Sequence, residues 1–312
     1  MTEHFVTLFD STFLPNGLAL HKSLVRNATD FHLWVICMDQ TTQRVINKLR
    51  LEHVTTLPLD SVETPELLAV KPGRSIAEYC WTLTPFSVDF VFDRDPSIER
   101  VTYVDSDVWF VKSPDEILEE MTEAGAQSLI TPHAYAPEHA ANIRFGIYCV
   151  QFMTFTRTGS RETRRDWQSK CLDWCFAEAE PGRFGDQKYL DTWTQQFPDT
   201  VHVLNSVEKT QAPWNATVFD PEAAVLYHFH RLRLASTSCA YVGTYRLPHA
   251  TVKQFYRPYL EDIKAANAAL ASLGIPFTPQ ITPLTGWHLF KDYLDFRRHN
   301  WRDLSTPYSL QY

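Results

Sequence analysis

The sequence lacks an excess of basic residues. Its 29 lysines and arginines are outnumbered by 37 aspartates and glutamates, which gives a formal net charge of −8. A general nucleic-acid-binding protein needs a basic surface for the phosphates, so this composition argues against nucleic acid as a partner. An anionic substrate would need cations gathered locally around it.

Long apolar runs are also missing. No uninterrupted apolar stretch of about 18 residues occurs, and the N-terminal residues show no basic segment followed by an apolar one. We therefore expect neither a transmembrane segment nor a secretory signal. A cytoplasmic location is the default expectation.

Cysteine is sparse, with six residues scattered mostly inside apolar segments. A disulfide framework is not expected in a chain of this size without a secretory signal, so we predict reduced and mostly buried thiols. Cys171 and Cys175 lie on one apolar helical stripe with Trp167 and Trp174. No second Cys or His pair at zinc spacing accompanies them, so we predict no zinc site there.

The sequence does contain enough apolar material for a large core. Of its 312 residues, 44% are hydrophobic and 13% aromatic, which suits one large α/β domain or two smaller ones. Strand and helix patterns alternate up to residue 105 and predict a doubly wound, mostly parallel sheet. The predicted strands are 5–10, 32–38, 54–59 and a run ending at Asp105, and the predicted helices are 16–27, 41–51 and 75–92, the last continuous or broken near Pro85.

The second half has shorter apolar runs and no internal repeat. Its predicted strands are 128–132, 148–155, 201–204 and 225–229, and its predicted helices are 161–178 and 186–197. Residues 287–302 also have a helical pattern, with aromatic and basic side chains. We therefore predict one α/β domain followed by a helical C-terminal extension.

Two carboxylates at the end of a predicted buried strand are the most informative feature. Residues 101–110 read Val-Thr-Tyr-Val-Asp-Ser-Asp-Val-Trp-Phe. Alternation along an extended chain would send Asp105 and Asp107 the same way. Converging carboxylates repel each other unless a cation or a proton separates them, so the pair is either part of a metal site or a polar turn. Asp10 also follows a predicted strand, on the edge where open α/β sheets bind ligands.

Three other segments carry candidate residues. Asp186 precedes an amphipathic pattern and fits either a ligand site or a helix N-cap. His228 and His230 end an apolar run and would face one side of a strand, either as metal ligands or as ordinary surface histidines. Arg74 and Glu78 share one helical face, an arrangement that also suits a simple surface ion pair.

One interpretation of the paired aspartates is a phosphatase of the haloacid-dehalogenase type. Asp105 would be the phosphorylated nucleophile and Asp107 the general acid, with Asp186 and Asp191 holding magnesium. In that fold the pair ordinarily lies on the first strand, whereas here strand and helix patterns fill the chain before it. The residues after the pair are Val-Trp-Phe, where Gly-Thr-Leu is usual.

A sugar-nucleotide transferase is the other enzyme class that uses such a pair. Six segments occur in a characteristic order: Val6-Thr-Leu-Phe-Asp10, Trp81-Thr-Leu-Thr-Pro85, Tyr103-Val-Asp-Ser-Asp-Val108, Phe184-Gly-Asp-Gln187, Ala212-Pro-Trp-Asn215 and His228-Phe-His230. In this order they resemble segments of glycosyltransferases with the A-type (GT-A) fold, most nearly the retaining class containing glycogenin and bacterial lipooligosaccharide galactosyltransferases. The resemblance covers about residues 5–235.

The resemblance implies a domain organisation and a metal site. It implies a single Rossmann-like GT-A catalytic domain over residues 1–240, divided into a nucleotide-binding half (1–110) and a sugar and acceptor half (111–240), with residues 241–312 as the mainly helical extension. Asp105, Asp107 and His228 match the ligands of a divalent cation, Mn²⁺ or Mg²⁺, with His230 as the alternative histidine. Asp105 and Ser106 would also contact the nucleotide.

The resemblance further implies a donor site. Asp186 and Gln187 match the pair that lines the donor sugar, Asp186 bonding to hydroxyls and Gln187 lying near the anomeric carbon. Because an amide is a poor nucleophile, retention of configuration would mean front-face attack, with the leaving phosphate accepting the acceptor's proton. The expected nucleotide and phosphate contacts are Thr7, Leu8, Asp10 and Arg74.

Two stretches depart from the family pattern. Arg231 stands where glycine is usual after the metal-binding histidine, and the usual Lys-Pro-Trp is absent, so Arg231 or Arg233 would supply a replacement cation. Cys149 and Gln151 occupy places where Asn and Gly are common, and these larger side chains would reshape the sugar pocket.

Together these patterns and the resemblance predict a metal-dependent glycosyltransferase that uses a nucleoside-diphosphate sugar. A UDP-sugar is the favoured donor, and a GDP-sugar is the second choice. Its acceptor would be a glycan, a lipid-linked sugar or a small molecule. The alternatives are the phosphatase and a sugar-nucleotide-binding protein without activity. The aromatic, basic tail at 287–302 would either pack on the domain or contact the inner membrane peripherally.

Overall fold

The computed structural model describes residues 2–281 and 309–311. Its strands are β1 (Glu3–Phe9), β2 (Phe31–Cys37), β3 (Val54–Pro58), β4 (Arg100–Val104), β5 (Val108–Phe110), β6 (Ser128–Pro132), β7 (Tyr148–Thr156), β8 (Val201–Val203), β9 (Thr210–Gln211), β10 (Leu226–His228), β11 (Arg233–Ser236), β12 (Cys239–Tyr241) and β13 (Ser309–Gln311). Its α-helices are α1 (Leu14–Asn27), α2 (Gln40–Leu49), α3 (Pro65–Val70), α4 (Ile76–Arg94), α5 (Asp115–Glu123), α6 (Arg161–Asp173), α7 (Trp193–Gln196), α8 (His249–Thr251) and α9 (Arg257–Ser272).

Seven strands form the central sheet in the order β3-β2-β1-β4-β7-β6-β8. All neighbouring pairs are parallel except the two that involve β7, which runs antiparallel to β4 and β6. This arrangement confirms the predicted mostly parallel α/β sheet. It also places the carboxyl ends of β1 and β4 side by side, so Asp10 and Asp105 emerge at the same edge.

The central strands are covered on both faces, which explains their nearly continuous apolar sequences. On one face Phe5 packs in a buried cluster with Leu20 and Leu24 of α1. On the other face Val6 lies in a second buried cluster with Val88 of α4 and Trp167 of α6. Alternate residues of β1 therefore enter different cores.

Helix α4 continues through Pro85, so the alternative of two broken helices is wrong. It begins with a capping box between Ser75 and Glu78, which satisfies backbone donors in the first turn. The hydroxyl of Thr84 donates to the Cys80 carbonyl (3.1 Å) in the turn before the proline. These local bonds accompany a proline that removes one helical N–H.

Two other helix predictions need correction. Helix α6 ends at Asp173 because Trp174 is extended, rather than at residue 178. The predicted helix at 186–197 is wrong, because a turn leads into a 3-10 helix (Lys188–Thr192) and then the short α7. The Asp186 carbonyl accepts a hydrogen bond from the Trp167 indole N–H (2.7 Å), in place of a helical N–H.

A second, smaller sheet begins shortly after β4, on the other side of Asp105 in the chain. Strand β5 starts three residues after Asp105 and pairs antiparallel with β10, which pairs parallel with β9. The register sets His228 opposite Val108. The chain pattern predicted a strand near β10 but not the separate β5. Strands β11, β12 and β13 form a third sheet.

The described C-terminal residues pack against the rest of the domain. Phe229 and Tyr259 stack with ring centroids 3.7 Å apart, in a buried cluster that contains residues from both sides of position 240. The boundary at 240 stays a prediction, and the predicted helix at 287–302 lies outside the described residues. All six cysteines are free, and four are buried, as predicted. Among the described residues, no helix has the length and apolar character needed to cross a bilayer.

Asp262 of α9 should stabilise this packing. Its buried carboxylate accepts from the Trp109 indole (2.9 Å) and contacts Arg26 (2.6 Å) and Lys22 (2.8 Å) of α1. We expect Asp262→Asn to lower the free energy of unfolding by about 1–2 kcal/mol at pH 7, since the cations are partly exposed. Urea unfolding measures this difference.

The same variant has a defined pH dependence. Burial opposes ionisation of Asp262, but its bonds to Arg26, Lys22 and Trp109 outweigh burial and lower its pKa. The stabilisation is therefore complete above the unfolded-state pKa of about 3.9 and is lost as the pH falls through the folded-state value. A wild-type advantage that grows toward acid pH would contradict this account.

Candidate active site

A cleft of about 1400 Å³ opens at the carboxyl ends of β1 and β4. This is the edge at which open α/β sheets bind ligands. The predicted site residues that line it are Leu8, Asp10, Asp105, Ser106, Asp107, Asp186, Gln187, His228 and His230. Thus most of the candidates, although scattered over more than 200 positions of the sequence, meet in one place.

Asp105, Asp107 and His228 form a compact cluster in this cleft. One potential ligand atom of each lies within 4.8 Å of the other two. His228 Nε2 is 3.1 Å from Asp107 Oδ1 and 3.7 Å from Asp105 Oδ2. The pairing of β5 with β10 produces this proximity, and the Phe229 N–H continues it by donating to the Asp107 carbonyl (3.0 Å).

The cluster holds opposed charges at a partly buried place in the cleft. Burial raises the pKa of Asp105, and the neighbouring Asp107 raises it further while His228 opposes the rise. Burial also acts on Asp107, but contact with His228 outweighs it and lowers the pKa of Asp107 to about 2. The two carboxylates therefore need a positive partner, which a protonated His228 or a cation would provide.

The donor set suits a divalent cation. Carboxylate oxygens bind hard cations such as Mg²⁺ and Mn²⁺, and an imidazole nitrogen is a better ligand for Mn²⁺ than for Mg²⁺. Tyr103 Oη donates to Asp105 Oδ1 (2.8 Å), which fixes this carboxylate while its Oδ2 lies toward His228. Asp105, Asp107 and His228 are the residues that would hold the cation.

The structure distinguishes the two candidate histidines. His228 is 6% exposed, and its Nδ1 lies 2.9 Å from Gln151 Oε1, so its Nε2 is directed at the carboxylates. His230 Nδ1 instead lies 2.9 Å from the Tyr245 hydroxyl, and burial together with His228 lowers the pKa of His230 to about 3. The cluster thus contains His228 and not His230.

Asp186 and Gln187 line the same cleft as this cluster of ligands. Gly185 has φ +52°, and a Cβ there would approach the Trp81 ring within 3.3 Å, so this turn requires glycine. Burial raises the pKa of Asp186 to about 8, and the negative Asp105 adds to the rise. Gln187 Nε2 donates to the Phe145 carbonyl (3.0 Å), which fixes its amide at the cleft wall.

Two predicted donor contacts are not brought into the cleft. Thr7 lies in the middle of β1 and is fully buried, with a hydroxyl that makes no hydrogen bond. The Arg74 guanidinium donates to the Leu172 carbonyl (3.3 Å) and packs 3.8 Å over the Phe176 ring. Arg74 therefore packs against the end of α6, and its contact with the donor stays a prediction.

Arg231 has an unusual backbone conformation. Its φ is +63°, in the left-handed region that glycine adopts without strain, and its side chain is exposed and lines the cleft. A side chain in this conformation costs about 1–2 kcal/mol. Arginine in place of glycine therefore puts a positively charged guanidinium in the cleft, at the cost of backbone strain.

Sequence reasoning missed several residues of the site. Tyr103 was identifiable, because alternation along β4 sends it to the side of Asp105. Thr84, which also lines the cleft, interacts with both Tyr103 and Asp186. Gln151 and His228 are 77 residues apart on different strands, so no local sequence pattern predicts their contact.

The fold is that of the A-type glycosyltransferases. The structure of galactosyltransferase LgtC with donor and acceptor sugar analogues superposes with a TM-score of 0.55 at 13% identity, over 84% of this chain and 95% of that chain. Mouse xyloside xylosyltransferase 1 superposes with a TM-score of 0.51 at 14% identity, over 74% of this chain and 98% of that chain. These likenesses establish the fold.

Sequence comparison places the chain in a family. It is 30% identical over 283 residues to YfnD of Bacillus subtilis, an uncharacterized protein, which covers 84% of this chain and 89% of YfnD. The chain belongs to the YfnD family. It is also 28% identical over 254 residues to the uncharacterized YfnF of the same organism. No protein-family profile matches the chain.

Replacing each histidine separately tests the assignment of the metal ligands. We expect His228→Ala to weaken Mn²⁺ binding by more than about tenfold, because it removes a ligand atom. His230→Ala should change the affinity by less than about threefold, because its bond to Tyr245 lies outside the cluster. Titration followed by the electron paramagnetic resonance of free Mn²⁺ measures both affinities. The reverse pattern would transfer the role to His230.

Proposed function

We propose that this protein is a metal-dependent glycosyltransferase that takes its sugar from a nucleoside-diphosphate sugar, with UDP favoured. The observation that carries the proposal is the cluster of Asp105, Asp107 and His228 at the ligand-binding edge of a GT-A fold. In sugar transfer from such a donor, negative charge grows on the departing diphosphate. A divalent cation stabilises that charge as a Lewis acid.

The residues around the cluster would bind the two ends of the donor. Asp10 Oδ1 accepts from the Thr12 and Phe13 N–H groups (2.9 and 3.3 Å), which holds its carboxylate at the cleft. In our proposal Asp10 and Leu8 face the uracil or ribose. Ser106 lies between the two cation ligands and would contact the ribose.

On the sugar side, Asp186 would position the transferred sugar through its hydroxyls. Gln187, anchored by its amide nitrogen, would present its oxygen near the anomeric carbon. A neutral amide does not form a covalent sugar intermediate readily, so the arrangement supports retention by front-face attack. The acceptor's proton would then pass to the departing diphosphate oxygen.

Arg231 and Arg233 supply the local cations that an acidic protein needs for an anionic donor. Both line the cleft on the segment that follows His230. Guanidinium groups bind phosphate oxygens through paired hydrogen bonds. We propose that they replace the cation of the missing Lys-Pro-Trp motif and contact the diphosphate.

The phosphatase alternative is less consistent with the structure. It requires Asp191 to help hold magnesium. Asp191 instead accepts from the Ile147 N–H (2.7 Å) and pairs with Lys188 (2.7 Å). The cluster around Asp105 does not include it.

The cytoplasmic location and the acceptor stay predictions.

Hydrolysis of donors in the presence of Mn²⁺ tests the proposed activity. Wild-type protein should release UDP from at least one UDP-sugar, and Asp107→Asn should lower that rate by about 100-fold or more through loss of the charged ligand. Lys48→Ala, an exposed position of α2 that does not line the cleft, is the control. NMR of the released anomer reports the stereochemistry.

The alternatives give different results in this assay. A phosphoenzyme at Asp105 with phosphate monoesters would establish the phosphatase. Thermal stabilisation by UDP-sugars without any turnover, across UDP-, GDP- and ADP-sugars and candidate acceptors, would establish a binding protein instead.

The role of Arg231 is separable from its effect on folding. We expect Arg231→Gly to be at least as stable as wild type, because relief of about 1–2 kcal/mol of strain offsets the flexibility of glycine, about 0.5–1 kcal/mol. Its affinity for UDP should fall about tenfold, the loss of one exposed charged contact. Arg231→Lys keeps the charge and the strain and is the matched control. Unchanged UDP affinity in Arg231→Gly would exclude the phosphate contact.

A further inference from the structure

Gln151 is fully buried in β7 directly behind His228. Its Oε1 lies 2.9 Å from His228 Nδ1, while His228 Nε2 is directed at Asp107 and Asp105. The imidazole therefore lies between an amide oxygen on one side and two carboxylates on the other. Gln151 is not among the residues that line the described cleft, so it reaches the site only through the histidine.

The chemistry of imidazole defines what this contact does. A cation bound at Nε2 needs the lone pair of that nitrogen, so the ring proton must be on Nδ1. A proton on Nδ1 in a buried place needs an acceptor. The Gln151 oxygen is that acceptor, and the bond also fixes the rotation of the ring about its axis.

The amide nitrogen of Gln151 differs from its oxygen. Gln151 Nε2 is buried and makes no hydrogen bond in the described structure. A buried, unpaired amide N–H₂ is costly, about 1–3 kcal/mol. The oxygen is therefore the part of this side chain that is used, and the position needs an acceptor rather than an amide.

We propose that Gln151 is the positioning residue of the metal centre, which holds His228 in the Nδ1–H form with its Nε2 lone pair directed at the cation. This inference rests on the metal site of the proposed function. It assigns to Gln151 a role behind the histidine rather than the reshaping of the sugar pocket that its size suggests. Cys149, the other unusual residue of the strand, lines the cleft itself and also contacts His228.

Three variants of Gln151 separate the oxygen from the volume of the side chain. Gln151→Met keeps the length and removes the strong acceptor. Gln151→Asn keeps the amide but is one methylene shorter, so it cannot reach Nδ1 at 2.9 Å. Gln151→Glu keeps both length and acceptor, replaces the amide nitrogen that has no partner by a second oxygen, and adds a negative charge when it is ionised.

Gln211 provides a matched control. It is also a fully buried glutamine with one unpaired side-chain atom. Its Nε2 donates to the Glu208 and Asp220 carbonyls (3.0 and 2.7 Å), neither of which belongs to a residue of the metal cluster. Gln211→Met should reduce stability without changing the affinity for Mn²⁺.

The experiment measures Mn²⁺ affinity by titration and the coordinated histidine nitrogen by electron spin-echo envelope modulation of the bound Mn²⁺. We expect Gln151→Met and Gln151→Asn to bind Mn²⁺ about 10–100-fold more weakly, with a diminished nitrogen signal. Gln151→Glu should stay within about tenfold of wild type and keep the signal. Circular dichroism shows which variants fold, and Gln151→Asn carries the test where Gln151→Met does not fold.

The outcomes distinguish this inference from the proposed function. Wild-type affinity and an intact nitrogen signal in folded Gln151→Met or Gln151→Asn would overturn the positioning role and leave the metal site in place. Equal losses in Gln151→Glu and Gln151→Met would also overturn it, since then volume or packing matters and not the acceptor. Absence of Mn²⁺ binding in wild type, with and without UDP, would overturn the metal site together with this role.

Discussion

The antiparallel pairing of β5 with β10 is the constraint on which the candidate site depends. It brings His228 beside Asp107 although 121 positions separate them in the chain. Because side chains alternate along β10 and the residue after it, His228 faces the cleft while Tyr227 and Phe229 face the buried cluster that includes α9. The packing of α9 thus supports the candidate metal ligand His228 from behind.

The central sheet could be predicted from the sequence, because its strands are apolar on both faces and helices separate them. What failed were elements whose structure depends on distant partners. The turn at Asp186 looks locally like a helix start, but its carbonyl is taken by Trp167 and Gly185 has a left-handed backbone. The three-residue β5 is too short for a recognisable period, and only its pairing with β10 makes it a strand.

Only some of the site residues could be placed from the sequence. Residues that follow strands, such as Asp10 and Asp105, could be placed at one edge by topology alone. Arg74 could not, because whether a helix-start arginine turns to the cleft or to its neighbours depends on packing. Here the Arg74 guanidinium donates hydrogen bonds to carbonyls at the end of α6 and packs over the Phe176 ring. Thr7 shows the same limit, since a strand residue just before the edge is still inside the sheet.

The two departures from the A-type glycosyltransferase pattern lie near His228, one in space and the other in sequence. Gln151 contacts His228 from behind, and Arg231 lies three residues after it, in a backbone conformation that disfavours its own residue type. If His228 holds a cation as proposed, a shift of His228 would also shift that cation and the phosphates bound to it, and a side chain that contacts those phosphates would have to move with them. In the proposed function, the changes on β7 and after β10 would therefore act together on the metal and the diphosphate, while Asp186 and Gln187 would bind the sugar.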